Sequence, residues 1–317
     1  MFIEQAYKGN NAWWRVLITT LIATGVFILN FIVYLILSKE EIDKMYEVAK
    51  EMNKNVSLVL NLGIFIFLLG ALFFMVYFLH NRSILSLTTS RLKVDFKRIL
   101  FSFGLIVLFS LIIFWISYYY DGSNIVWNFD ASKFLILFIL SILLFPFQIG
   151  FEEYLFRGYL MQQIGIIAKN RWLPLIITSV FFGLFHSANP EVAEMGFSVM
   201  IFYIGTGLLL GIMTLMDDGL ELALGFHLGN NLIAALLITS DFSALQTDAV
   251  YKYTQVQNSS DILWEMIISI VLTYPILVLI LSKKYGWKNW KEKLSGKVIQ
   301  PAMVEKELFH QNLDNNE

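Results

Sequence analysis

Three places in the sequence put polar or ionisable side chains inside long apolar runs. The first reads Phe151-Glu152-Glu153-Tyr154-Leu155-Phe156-Arg157-Gly158, the second Phe182-Gly183-Leu184-Phe185-His186-Ser187 and the third Gly225-Phe226-His227-Leu228-Gly229-Asn230-Asn231. An ionisable group near a bilayer centre costs roughly 2.5–3.5 kcal/mol on insertion scales, so its default reading is pairing or function. On a helix, Glu153 and Arg157 are i,i+4 and can pair on one face. Glu152 then points about 100° away and is left for other work. Phe182 lies one turn before His186 and offers it an aromatic wall. His227 and Asn231 are again i,i+4.

These residues suit hydrolysis by an activated water. Glu152 would be the general base, and His186 would share the water and shuttle its proton. His227 and Asn231 could donate hydrogen bonds to a developing oxyanion. Glu153 and Arg157 would hold the helix and tune Glu152. Ser187 is a weaker candidate as a nucleophile, because no Ser-His-acid spacing accompanies it. Two His and one Glu also make a familiar catalytic zinc set. The HExxH spacing is absent, so the reading is of a site without a cofactor, with a zinc variant left open. Any one motif alone reads equally well as a satisfied ion pair or a packing histidine; three on separate spans do not.

The elements that must position these residues are membrane spans. The 317 residues are 57% hydrophobic and 15% charged, with a mean hydropathy of +0.65. A soluble domain carries about a quarter charged residues, so most of this surface is not built for water. Apolar runs near 13–37, 57–79, 99–119, 133–160, 173–188, 197–216, 220–240 and 263–282 predict about eight transmembrane helices in an all-α bundle. Sustained strand-like alternation is missing, which argues against a barrel. Residues 1–130 read as N-terminal spans, 131–240 as the helical core carrying the motifs, 241–282 as a last loop and span, and 283–317 as a basic, then polar tail. The fourth run continues past its motif, so the carboxylates fall well inside the membrane; Pro146 and Gly150 mark an expected kink or opening. Pro190 marks the expected exit from the fifth helix. Gly207 and Gly211 form a small-xxx-small pair that lets helices approach closely.

Lys and Arg cluster in 80–98, 166–172 and 283–297, whereas 120–132 and 188–196 hold none. By the positive-inside rule both termini are expected in the cytoplasm of a multi-pass cell-membrane protein. The 38–56 loop has the pattern of a short surface helix. Trp287 and Trp290 among lysines suit an interfacial anchor, or equally a solvated basic tail. A net charge of -2 gives no argument for a nucleic-acid partner, and with no cysteine there is neither a disulfide nor a thiol nucleophile. The partners expected are the lipid bilayer and a membrane-associated peptide or lipidated protein.

In order, Glu152-Glu153…Arg157, Phe182…His186 and His227…Asn231 resemble the EExxxR, FxxxH and HxxxN patterns of the CPBP (Abi) family of intramembrane proteases, whose enzymatic reference is the type II CAAX prenyl endopeptidase. The resemblance covers roughly 130–240. It implies an all-helical membrane endopeptidase whose site opens to the cytoplasm or inner leaflet. It also implies that Glu152 and His186 activate water and that His227 and Asn231 support the oxyanion. Substrates in such a family include prenylated CAAX proteins, bacteriocins and peptide signals. Two alternatives carry different expectations. A non-catalytic immunity or scaffold protein needs only the packing, and a proton-coupled transporter needs inverted repeats, of which the sequence shows no sign.

Overall fold

The computed structural model describes residues 1–241, 243–254, 267 and 269–301. Helix α1 (Trp13–Ile36) is followed by α2 (Lys39–Glu51), α3 (Lys54–Phe74), a short α4 (Ile84–Thr88) and α5 (Phe96–Asp121). Next come α6 (Ala131–Glu153), α7 (Met161–Ala168), α8 (Trp172–Leu184), α9 (Pro190–Met195), α10 (Met200–Asp217) and α11 (Glu221–Leu237). The described chain ends with α12 (Tyr274–Tyr285) and α13 (Trp290–Ser295). Helix starts follow local chemistry. Ser38 and Glu41 form a capping box on α2, which is the surface helix expected in 38–56. Asn53, Asp95 and Asp130 cap α3, α5 and α6 by accepting from backbone amides of the first turn.

Among the described residues, five helices are long and apolar enough to cross a membrane: Trp13–Val33, Lys54–Leu79, Phe96–Tyr120, Ala131–Ala168 and Phe197–Asp217. The protein is therefore a multi-pass membrane protein, and the count of eight is not confirmed among the described residues. The fifth and seventh expected spans are the shorter apolar helices α8 and α11. At 17 residues α11 is roughly 25 Å long, short of the ~30 Å hydrocarbon core. The eighth, 263–282, lies partly outside the described residues, as does the tail beyond 301. Hydropathy measures apolar length and cannot see where a helix turns out of its axis. Helix α8 stops at Leu184, and Pro190 is the first residue of α9, so that proline opens a helix where the sequence suggested an exit.

The fourth span differs from expectation in another way. Helix α6 runs unbroken through Pro146, and the change comes later, where Tyr154–Leu160 is π-helical before α7 resumes. A π-segment widens the backbone turn and re-aims the side chains beyond it, a distortion common at functional sites. Arg157 sits inside it.

Helix α10 is packed closely by α8. A Cβ on Gly207 would lie 2.9 Å from the Ser179 carbonyl oxygen, and one on Gly211 would collide with Leu175. The small-residue pair thus does what its spacing suggested. Gly207→Val should lower stability by about 1–3 kcal/mol, the usual cost of overpacking a tight contact. Gly63→Val is the control, because nothing lies within 4 Å of its Cβ position. Melting of the two variants in detergent checks this.

The two ends of the bundle are distinct. At one end, bridges pair Thr89 with Gly219 and Asn170 with Lys297, and Asn10 N donates to the His80 carbonyl. Arg91 pairs with Asp217 (3.0 Å) and Glu221 (3.2 Å), and Arg98 pairs with Asp95 and Asp217. Trp287 turns inward here, its Nε1 donating to Asp217 at 3.4 Å, so only Trp290 keeps the exposure of an interfacial anchor. His80, given no role from sequence, is buried and held by Thr19, Tyr159 and the Asn10 carbonyl. At the other end a small sheet joins β1 (Ile125–Trp127), β2 (Ile238–Thr239) and β3 (Tyr251–Tyr253). β1 is antiparallel to β3 and β2 is parallel to it. Lys54 donates to the Thr247 carbonyl and pairs with Asp248, and Glu191 accepts from the Ala244 amide. The strands are two or three residues long, too short to leave an alternating pattern in the sequence.

Candidate active site

Glu153 is the hub. Its Oε1 accepts from Arg157 Nη1 at 2.9 Å, one turn along the same helix, and from His227 Nδ1 on α11 at 2.8 Å. Glu153 and Arg157 are fully buried. The guanidinium also donates to the Gly207 carbonyl at 3.1 Å and lies 4.4 Å over the Phe182 ring. The Glu153–Arg157 pair thereby ties α6, the π-segment, α10 and α11 together. The i,i+4 pair is as expected, but its second task, anchoring His227, is not visible in the spacing.

Glu152 faces elsewhere, as its phase on the helix requires. Its Oε1 accepts from Gln148 Nε2 at 2.5 Å, and its Oε2 lies 3.6 Å from His227 Nε2. Asn231 Nδ2 donates to Gln148 Oε1 at 3.2 Å. Gln148 therefore links the base candidate to the amide candidate. It was missed from sequence, although it stands four residues before Glu152 in the same apolar run, the signal that singled out the others.

His186 is placed by a different device. It sits in the turn after α8, with its amide donating to the Gly183 carbonyl and its Nδ1 2.7 Å from the Phe182 carbonyl. A carbonyl can only accept, so Nδ1 carries the proton and a neutral His186 presents Nε2 as a bare lone pair. The Phe182 ring packs against both imidazoles, 4.8 Å from His186 and 5.8 Å from His227. Tyr203 stacks on the other side of His186 at 4.4 Å. Ser187 is buried.

Glu152, His186, His227 and Asn231 all line one cavity of about 1380 Å³, together with Phe27, Phe65, Phe156 and Phe185. The cavity continues to Met45, Met52, Glu191, Ala244 and Gln246, at the end of the bundle that carries the small sheet. None of the basic connections 80–98, 166–172 and 283–297 contributes a lining residue.

His227 Nδ1 donates to the Glu153 carboxylate, which leaves its Nε2 turned toward Glu152 Oε2 at 3.6 Å. Among the described residues no three His, Cys, Asp or Glu side chains are grouped as metal ligands.

The family model of type II CAAX prenyl endopeptidase Rce1-like proteins matches residues 131–233, the stretch that carries every one of these side chains. The chain is also 30% identical over 244 residues to the uncharacterized protein YyaK of Bacillus subtilis (strain 168), covering 73% of this chain and 80% of that protein. The chain belongs to the Rce1-like family. No solved structure matches it. Membership in the Rce1-like family supports a protease of the CAAX type in a multi-pass membrane protein, and the family match begins at the start of α6, so α1 to α5 lie outside it.

Proposed function

We propose that the protein is an intramembrane endopeptidase that hydrolyses a peptide bond with water activated by Glu152 and His186. The observation that carries this is that Glu152 Oε2 faces His227 Nε2 at 3.6 Å and shares one cavity of about 1380 Å³ with His186, with the carboxylate held from behind by Gln148. In the reaction, Glu152 takes a proton from water as its oxygen attacks the carbonyl carbon, with His186 Nε2 accepting from the same water. Negative charge gathers on the carbonyl oxygen and is met by His227 Nε2–H and the second N–H of Asn231. The C–N bond then breaks, and the proton taken by Glu152 passes, through His186, to the leaving amine. The apolar, aromatic wall excludes bulk water and strengthens each of these interactions. Substrates suited to such a wall are membrane-associated peptides, whether prenylated CAAX-like chains, bacteriocins or signal peptides. Both termini are assigned to the cytoplasm.

The experiment is cleavage by purified protein in detergent or liposomes, read on quenched fluorogenic peptides with and without a prenylated cysteine. Cleavage that vanishes with Glu152→Ala and with His186→Ala supports the reading. Unchanged cleavage in both variants overturns it. Survival of the cellular phenotype in Glu152→Gln, with loss on disrupting the packing, would favour a scaffold role instead.

The amide candidate has a test of its own. If Asn231 meets the oxyanion, Asn231→Ala should lower kcat by about 100- to 1,000-fold, the usual cost of one oxyanion donor. Gln148→Leu separates this from an indirect effect, since it removes the link to Glu152 and leaves Asn231 in place. Equal losses in the two variants would mean that Asn231 works through Gln148.

A further inference from the structure

The cavity and the basic residues lie at opposite ends of the bundle. At the basic end, Lys93, Lys97, Lys283, Lys284, Lys288, Lys291 and Lys297 are exposed. Arg82, Arg91 and Arg98 at the same end are built into the fold by hydrogen bonds and ion pairs. The sheet end has no Lys or Arg in 122–130 or 188–196 and one, Lys252, in 238–254, and that one pairs with Asp241 at 2.8 Å. The 38–56 segment has four lysines. Acids contribute little to the positive-inside bias, so these four are counted in full, and the bias still points to the other end. The basic end is therefore cytoplasmic. The cavity that holds Glu152 reaches Met45, Met52, Glu191, Ala244 and Gln246, all at the sheet end.

We infer that the catalytic cavity opens on the non-cytoplasmic face, and that its substrates are peptides reaching it from outside: exported peptides, or the extracytoplasmic ends of membrane proteins. This rests on the protease reading for the substrate, but not for the opening. It departs from the cytoplasmic or inner-leaflet opening that the family resemblance implies. A peptide made in the cytoplasm would have to cross the membrane before it could be cut, so the enzyme would act after an export step.

The chain has no cysteine, which permits a clean accessibility test. Single variants Met45→Cys and Ala244→Cys place a thiol at the mouth, and Leu92→Cys and Lys291→Cys place one at the basic end. Intact cells are treated with a membrane-impermeant maleimide, then compared with permeabilised cells. Met45→Cys and Ala244→Cys should label in intact cells, and Leu92→Cys and Lys291→Cys only after permeabilisation. The reverse pattern overturns the inference, whatever the enzyme does. For the substrate side, an impermeant fluorogenic peptide is offered to right-side-out and inside-out vesicles. Cleavage sensitive to Glu152→Gln in right-side-out vesicles supports outside access. The same cleavage confined to inside-out vesicles overturns it while leaving the protease reading intact. If the labelling is as expected and neither vesicle cleaves a peptide that purified protein cuts, access from outside is likewise overturned.

Discussion

Glu152→Gln should lower kcat by about 100- to 10,000-fold, the range that general acid–base catalysis supplies. The substitution is isosteric. Its amide can still meet Gln148, so the fold loses little, but it cannot take a proton from water. At about 1.36 kcal/mol per tenfold, the loss corresponds to roughly 3–5 kcal/mol of barrier. KM should change little, because Glu152 does its work on the water and not on the peptide. His186→Ala should fall in the same range, and the double variant should be no worse than the weaker single, since the two act on one water as a unit. Steady-state kinetics on one peptide, with melting to show that each variant is folded, checks all three. Losses that multiply in the double variant would mean that Glu152 and His186 work on separate steps. A KM rise at constant kcat would place Glu152 in substrate binding instead.

Much of this site was legible because the membrane makes polar residues conspicuous. Glu152, Glu153, Arg157, His186, His227 and Asn231 stood out for being where lipid should exclude them, and i,i+4 spacing correctly joined Glu153 to Arg157. The same spacing put His227 and Asn231 on one face but could not say what they meet. The hub role of Glu153 was hidden for the same reason: the Glu153–His227 bond joins residues 74 apart in sequence. Gln148 was overlooked because it is uncharged, although its spacing to Glu152 is the same i,i+4 step. The expected eight spans are not confirmed, since five helices among the described residues are long and apolar enough to cross. A short helix such as α8 can serve inside a bundle without crossing lipid alone, and a hydropathy window registers only its apolar run. The three-stranded sheet left no trace, since pairing Ile125–Trp127 with Tyr251–Tyr253 is a tertiary event. The basic segments 80–98, 166–172 and 283–297 were expected on one side, and their contacts gather them at one end of the bundle. Which end the cavity faces needed the course of α6, α8 and α11.

Breaking the Glu153–Arg157 pair should be the most destabilising single change near the site. Both side chains are fully buried at 2.9 Å. Arg157→Met leaves Glu153 charged, buried and matched only by His227, and removes the bond to the Gly207 carbonyl. Loss of one partner of a buried pair costs about 3–5 kcal/mol, chiefly as the penalty on the charge left behind. Removing both partners is different in kind. Glu153→Leu with Arg157→Met takes away the charge conflict along with the attraction, and such exchanges are often neutral or stabilising. The double variant should therefore recover most of the stability that Arg157→Met loses. It should not recover activity, because Glu153 also fixes the His227 tautomer and ring, and without that anchor Nε2 is no longer held toward Glu152. Unfolding in mixed micelles reads the first quantity and kcat the second. Recovery of both together would show that Glu153 serves only the ion pair. Recovery of stability alone would show one carboxylate meeting two needs, the burial of a guanidinium and the aim of an imidazole.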